Sequence, residues 1–333
     1  MSAANIAYHL RTGKFADRAL FVELLRRLER WRPLDNYTYV SMGGYTMADH
    51  ARVSRVLGLQ RLVSFDTDAR TVRRARFNSP TAATIVKEAT AKEVAERIDD
   101  LLQEWGVQAS EGRIVWFDFT TPSKLQEDLL SFANLVNSSV PGDILRITLN
   151  ADPRNLPRAP VADDEATEEE KKRQRLAEVV EETDIGEEDP NDSAHLPRIL
   201  ARAIGRISTE AAGPTKRTVC LSSVTYSDGT KMVAVTLAVT DQPSANGDDP
   251  HTAAKLASWP LASRRWDQVH DLRIQTLTSR EREQLERRLP NEPASSILSS
   301  MGLEKMPGLD DPAAHFDEYG QLIRFYPDFI SLI

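Results

Sequence analysis

Apolar side chains recur at helical spacing over residues 16–31, where Leu20, Phe21, Leu24, Leu25 and Leu28 share one face and Pro33 follows as a stop. Beyond Pro33 the period changes. Short apolar runs at 37–42, 61–65, 83–86, 113–117 and 143–149 read as strands, and helical segments at 47–57, 69–77, 91–105 and 125–136 separate them. This alternation predicts a parallel sheet with right-handed crossovers and helices on both faces, a doubly wound α/β fold. Residues 151–193 break the rhythm, being rich in Pro, Asp and Glu. Their middle, 166–180, reads as a charged, solvated helix between mobile flanks. A helix at 196–207 restores order and leads into a hairpin, 217–226 and 231–240, closed by the Ser227-Asp-Gly-Thr230 turn. A polar loop follows Asp241, then helices near 280–289 and 294–301. The aromatic tail from Tyr319 is expected to dock on the body.

Composition narrows the class. The chain has 333 residues, 41% hydrophobic and 28% charged, which suits a globular protein with a sizeable core. No apolar run approaches the roughly 20 residues needed to cross a bilayer. The first residues lack a basic region and apolar core, and one cysteine, Cys220, forms no internal disulfide; both point to the cytoplasm. The net charge of −8 is local: residues 163–192 hold 14 acids and four bases, and the rest is close to neutral. The acidity therefore implies no acidic substrate or partner. The six histidines are scattered without metal-ligand spacing, so no metal site is expected.

Candidate chemistry gathers at the ends of the predicted strands. The first strand runs into Ser41-Met-Gly-Gly44, and Asp66 follows Gly44 by 22 positions, at the end of the second strand. Glycines at a strand's carboxyl end admit close approach of a ligand, and an acid about 20 residues on suits ribose hydroxyls, so this spacing points to an adenosine-type ligand. Asp66 competes with a role as helix cap, for which Asp68 serves equally well. Asp118 ends the fourth strand, in the usual ligand crevice, and is the leading general-base candidate, ahead of His9 and His50. Arg70, Arg73, Arg74 and Arg76 read as solvated surface rather than a phosphate-binding face, so nucleic acid is unsupported as a partner. Gly13-Lys14 lacks the glycine and preceding strand of a P-loop.

Four segments carry a resemblance: Tyr8-His-Leu-Arg-Thr-Gly-Lys-Phe-Ala-Asp-Arg18, Tyr39-Val-Ser-Met-Gly-Gly44, Trp116-Phe-Asp-Phe-Thr120 and Gly142-Asp-Ile-Leu-Arg-Ile-Thr-Leu-Asn150. With five βα units, a helix and a hairpin, the chain resembles the class I S-adenosylmethionine-dependent methyltransferases. More closely, it resembles a prokaryotic family labelled putative O-methyltransferase. The resemblance implies a mostly parallel, Rossmann-like, seven-stranded sheet ending in an antiparallel hairpin, with helical additions at both ends. It divides the chain into an N-terminal helical segment (1–34), cofactor-binding βα units (35–150), the acidic mobile insertion (151–194), the last helix and hairpin (195–240) and a C-terminal helical extension (241–333). It also implies S-adenosylmethionine as cofactor, held by Ser41, Gly43, Gly44, Asp66, Glu88 and Asp118. Asp118 and Thr120 would stand where the methyl group meets an O or N acceptor, and Arg11, Lys14 and Arg18 would form a basic lid over an anionic acceptor. The acceptor, small molecule or protein, is open, as is a protein partner or self-association. The usual motif has an acid two positions before its first glycine; this chain has Ser41 there, and it reads Gly-Gly-Tyr for Gly-x-Gly. These departures favour the rival reading, a catalytically degenerate binding or sensing module, for instance in prokaryotic antiphage defence. A nicotinamide dehydrogenase is weaker, for want of the glycine fingerprint and a proton relay.

Overall fold

The computed structural model describes residues 11–157, 167–242, 248–274, 277–289, 291–306, 309 and 311–317. His9, the start of the acidic stretch, most of the loop past Asp241 and the tail from Tyr319 lie outside these. The chain divides into two compact units, residues 21–272 and residues 1–20 with 273–333, and the division falls inside α1 (Thr12–Leu28).

The larger unit holds strands β1 (Tyr37–Ser41), β2 (Arg61–Asp66), β3 (Ile85–Glu88), β4 (Gly112–Asp118), β5 (Ile144–Asn150), β6 (Lys216–Ser227), β7 (Lys231–Asp241) and β8 (Val269–Leu272). Its helices are α2 (Ala48–Leu57), α3 (Ala69–Phe77), α4 (Ala91–Glu104), α5 (Leu125–Ser138), α6 (Glu168–Ala177), α7 (Glu182–Ile185), α8 (His195–Ala212) and α9 (Pro250–Ala253). The strands form one sheet in the order β3-β2-β1-β4-β5-β7-β6-β8. Only β7 runs against its neighbours, so the sheet is mostly parallel, with the antiparallel strand inserted before β6. Seven strands were expected and eight are present among the described residues. β8, four residues pairing parallel with β6, is too short to stand out by its pattern.

Alternate residues of each strand face opposite ways. Val40, Val63, Phe65, Val115, Phe117, Leu145, Ile147 and Val235 join α4, α5 and α8 in one apolar core. The other face is different. Ser41, Ser64, Trp116 and Arg146 stand beside one another in register across β2, β1, β4 and β5, with Thr236 opposite Arg146 on β7, and all are buried. The Arg146 guanidinium lies 4.7 Å from the Phe21 ring of α1 and 5.0 Å from Trp116, and it donates to Thr236 Oγ1 at 2.6 Å.

The acidic insertion needs a correction. Over its described part, Thr167 caps α6, α7 follows, and Leu176, Val180 and Ile185 are buried in the main core. Its acids bind bases within the segment and on α8: Arg173 pairs with Glu182, Arg202 with Glu188, and Arg206 with Asp184. The composition is acidic because the partners lie partly on another helix.

In the smaller unit, α10 (Ser279–Arg288), α11 (Ala294–Met301) and α12 (Pro312–Asp317) enclose a core of Leu285, Ala294, Ile297, Leu298, Leu309 and Phe316.

Candidate active site

In a parallel sheet the carboxyl ends of the strands define the ligand crevice, and pairing fixes which residues reach that edge together. Ser41 is level with Ser64 and Trp116. Two residues further on, Asp66 pairs in register with Glu88, and Asp118 with Thr148. Gly43, Asp66, Glu88 and Asp118 are thus at one level of the edge, and the three acids project from the polar side of the sheet.

The glycine turn has two different glycines. A Cβ on Gly43 would lie 2.5 Å from His50 Cε1 and 2.9 Å from Ser64 Oγ, so this glycine lets the His50 ring pack beneath the turn. Gly44 has φ +56°, and nothing lies within 4 Å of where its Cβ would be. The first glycine serves packing; the second opens to the crevice. Met47, also left-handed at φ 53°, starts α2 with its side chain buried, a strained entry for a residue with a side chain.

Beneath the turn sits Asp49, an acid the sequence motif did not single out. Its Oδ2 accepts from Ser41 Oγ at 2.5 Å and from Tyr39 OH at 2.8 Å, and its Oδ1 lies 3.2 Å from His50 Nδ1. An acid displaced from the strand is therefore supplied by α2, bonded to the serine in its place. Its sequence signal was an acid in the first turn of the helix after the glycines. His50 is fully buried, with Nε2 2.9 Å from the Val63 carbonyl, so both ring nitrogens are engaged in holding the turn.

Asp66 is half-buried, and its Oδ1 accepts from the Asp68 backbone at 2.8 Å. Asp68 is the cap of α3. It accepts from the Thr71 hydroxyl and backbone, which hold its carboxyl below the usual range. Asp66 Oδ2 makes no hydrogen bond among the described residues. Glu88 is exposed. Asp118 is half-buried at the end of β4, Phe119 N donates to the Thr148 carbonyl at 3.0 Å, and Thr120 is exposed.

Ser41, Gly43, Gly44, Asp66, Glu88, Asp118 and Thr120 thus gather at one edge. Arg11, Lys14 and Arg18 belong to the smaller unit, where Lys14 and Arg18 are buried and Arg11 is half-buried. On α3, Arg74 stacks on the Tyr45 ring at 3.7 Å and Arg76 donates to the Val86 carbonyl, so the arginine cluster partly fastens the helix to its surroundings. No group of residues that could hold a metal occurs among the described residues, and no helix there is long and apolar enough to cross a membrane.

The chain belongs to the family described as Putative O-methyltransferase, whose model matches residues 6–333. Solved structures are more distant. An O-methyltransferase from Bacillus cereus in complex with SAH aligns at 16% identity and TM-score 0.38, covering 71% of this chain and 86% of that one. A putative O-methyltransferase from Klebsiella pneumoniae aligns at 13% identity and TM-score 0.37, covering 72% and 83%. No curated protein matches the sequence.

Proposed function

We propose that the protein binds S-adenosylmethionine at the carboxyl edge of β1–β4 and transfers its methyl group to an oxygen acceptor. The observation that carries this reading is the alignment of three acids at one level of that edge, with the open Gly44 in the turn that follows β1. The residues fit the cofactor. Gly44 leaves space above its backbone, Asp66 has an oxygen without a partner among the described residues, and Glu88 stands beside it on β3. When bound, the cofactor supplies an electrophilic methyl on a sulfonium. Asp66 would accept from the ribose hydroxyls, with Glu88 near the adenine. Ser41, backed by Asp49, would face the amino-acid end, and Asp118 with Thr120 would align the reacting groups. Alignment and exclusion of water lower the barrier of such an in-line displacement without further chemistry from the protein.

The sensing reading drew its support from two departures, the missing acid at position 41 and Gly-Gly-Tyr in place of Gly-x-Gly, and only the first is touched by the geometry of the turn. Asp49, hydrogen-bonded to Ser41, weakens that support. Calorimetry with S-adenosylmethionine and S-adenosylhomocysteine, with NAD as control, tests the proposal. Asp66→Ala should weaken binding of both by roughly 10- to 100-fold, the worth of hydrogen bonds to a charged group. Wild-type protein that binds neither compound ends the methyltransferase reading.

A further inference from the structure

Gly44 and Met47, at φ +56° and +53°, bracket the turn that carries the chain from β1 into α2. Left-handed backbone at a residue with a side chain persists where the surroundings over-determine it. Here the surroundings are α3, from the next βα unit. The Arg74 guanidinium lies 3.7 Å from the centre of the Tyr45 ring. Asn78 Nδ2 donates to the Tyr45 carbonyl at 2.7 Å. Met47, fully buried, packs with Val72 and Ala75 of α3 and Val86 of β3. No hydrogen bond from any other element reaches residues 43–46 among the described residues.

The same helix is tied to the acid at the end of β2. Its cap, Asp68, donates its backbone N–H to Asp66 Oδ1 at 2.8 Å and accepts from the Thr71 backbone at 2.9 Å. Thus α3 meets Asp66 through its first turn and the glycine turn through its second half. A turn free to rearrange holds its binding shape only part of the time, and ligand affinity falls by that fraction.

We propose that α3 is a brace and that Arg74 and Asn78 are positioning residues. They fix the glycine turn relative to Asp66, and so set the span between the place for the cofactor's amino-acid end and the place for its ribose. The proposal rests on the methyltransferase reading above. S-adenosylmethionine reaches both places and depends on the span. Adenosine has the ribose and base without an amino-acid end, so Asp66 and Glu88 suffice for it. Cutting the brace should therefore separate the two ligands, which a general loss of packing would not do.

Calorimetry with S-adenosylmethionine and adenosine compares wild type, Asn78→Ala and Arg74→Met, each held well below its melt. Arg74→Met keeps the length of the side chain and removes the cation. Both variants should lose about 10-fold in S-adenosylmethionine affinity, as for a turn formed a tenth of the time, and bind adenosine within about twofold of wild type. Tyr45→Leu should cost as much as Arg74→Met, and the double variant no more than either, because one stack joins them. Hydrogen exchange reads the brace without ligand. The Ala51 amide, which donates to the Met47 carbonyl at 2.9 Å, should exchange about 10-fold faster in Asn78→Ala. Wild-type affinity for S-adenosylmethionine in the variants, or equal losses for both ligands, overturns the brace, and additive losses in the double variant overturn the stack. If wild type binds neither ligand, the methyltransferase reading falls instead. An unchanged exchange rate at Ala51 then still overturns the hold of α3 on the turn.

Discussion

The two faces of the central sheet are made by alternate residues of the same strands, yet they hold together by different means. On one, Val40, Val63, Phe117, Ile147 and Val235 meet Leu129, Phe132 and Leu135 of α5 and the apolar side of α8. On the other, Ser41, Ser64, Trp116, Arg146, Thr148 and Thr236 are just as buried. Apolar packing is strong but non-directional, and tolerates rearrangement of equal volume. Buried polar groups need particular partners at particular places. The indole of Trp116 donates to Thr148 Oγ1 at 3.0 Å, and Ser41 and Tyr39 both donate to Asp49. The apolar face supplies stability, and the polar face fixes positions beside the crevice.

The comparison breaks most readily through the apolar face. Phe132 is fully buried between α5 and the sheet. Phe132→Ala should cost about 3–5 kcal/mol, which for a unit of this size lowers the melting temperature by roughly 10 °C. Affinity for S-adenosylmethionine, measured well below the melt, should stay within a factor of about two, since no ligand-facing group moves. If affinity falls with stability, the two faces are not separable.

Leu176 carries the next largest effect. It is 2% exposed in the core although it sits in the most acidic stretch of the chain. Leu176→Ala should destabilise by about 2–3 kcal/mol, toward the low end for buried leucine because one wall of its site is a cavity. A melting temperature equal to wild type would restore the insertion as a segment independent of the core.

Asp128 is the exception on the apolar side, and pH reveals it. Burial raises its carboxyl to about 7, above its ordinary value of 3.8. Between those values the folded protein holds a proton that the unfolded chain has released, so stability should fall as pH rises through that window. Above about 7 the penalty is fully present. Asp128→Asn removes this contribution, so the variant should gain on wild type as pH rises from about 4 to about 8, by a few kcal/mol at most. Melting curves across that range read the difference. Parallel curves for the two proteins would place the carboxyl in water.

Much of this was legible in the chain. The βα order follows from apolar runs of strand length, and Asp228-Gly229 marks the hairpin because a tight turn between strands needs such residues. Asp66 and Asp118 stand out because each ends an apolar run. Asp49 and Asp128 do not, since each lies inside an amphipathic helix where an acid normally reads as solvated surface; only packing turns them inward. The apolar residues Leu176, Val179, Val180 and Ile185 were visible, but acids dominate their window, and the arginines that balance several of those acids lie on α8.

The smallest effects come from the two glycines of the turn, and they sharpen the division between packing and ligand. Gly43→Ala places a methyl group 2.5 Å from the His50 ring and 2.9 Å from Ser64 Oγ, so the ring or the turn must shift. That should cost about 1–3 kcal/mol, as overpacking does. Gly44→Ala meets no neighbour, but at φ +56° an alanine carries the left-handed penalty of about 1–2 kcal/mol. The stability losses are similar; the binding consequences differ. The new methyl at 44 enters the open space above the turn, where the cofactor's amino-acid end would lie, and should weaken S-adenosylmethionine binding by about 10-fold, one lost hydrogen bond's worth. At 43 the methyl points inward, so affinity should change only as far as the turn itself moves. Calorimetry on the two variants, each held well below its melt, separates them. Equal affinities for Gly44→Ala and wild type would mean that the cofactor does not approach the second glycine, and the crevice would then have to be sought beyond Asp66.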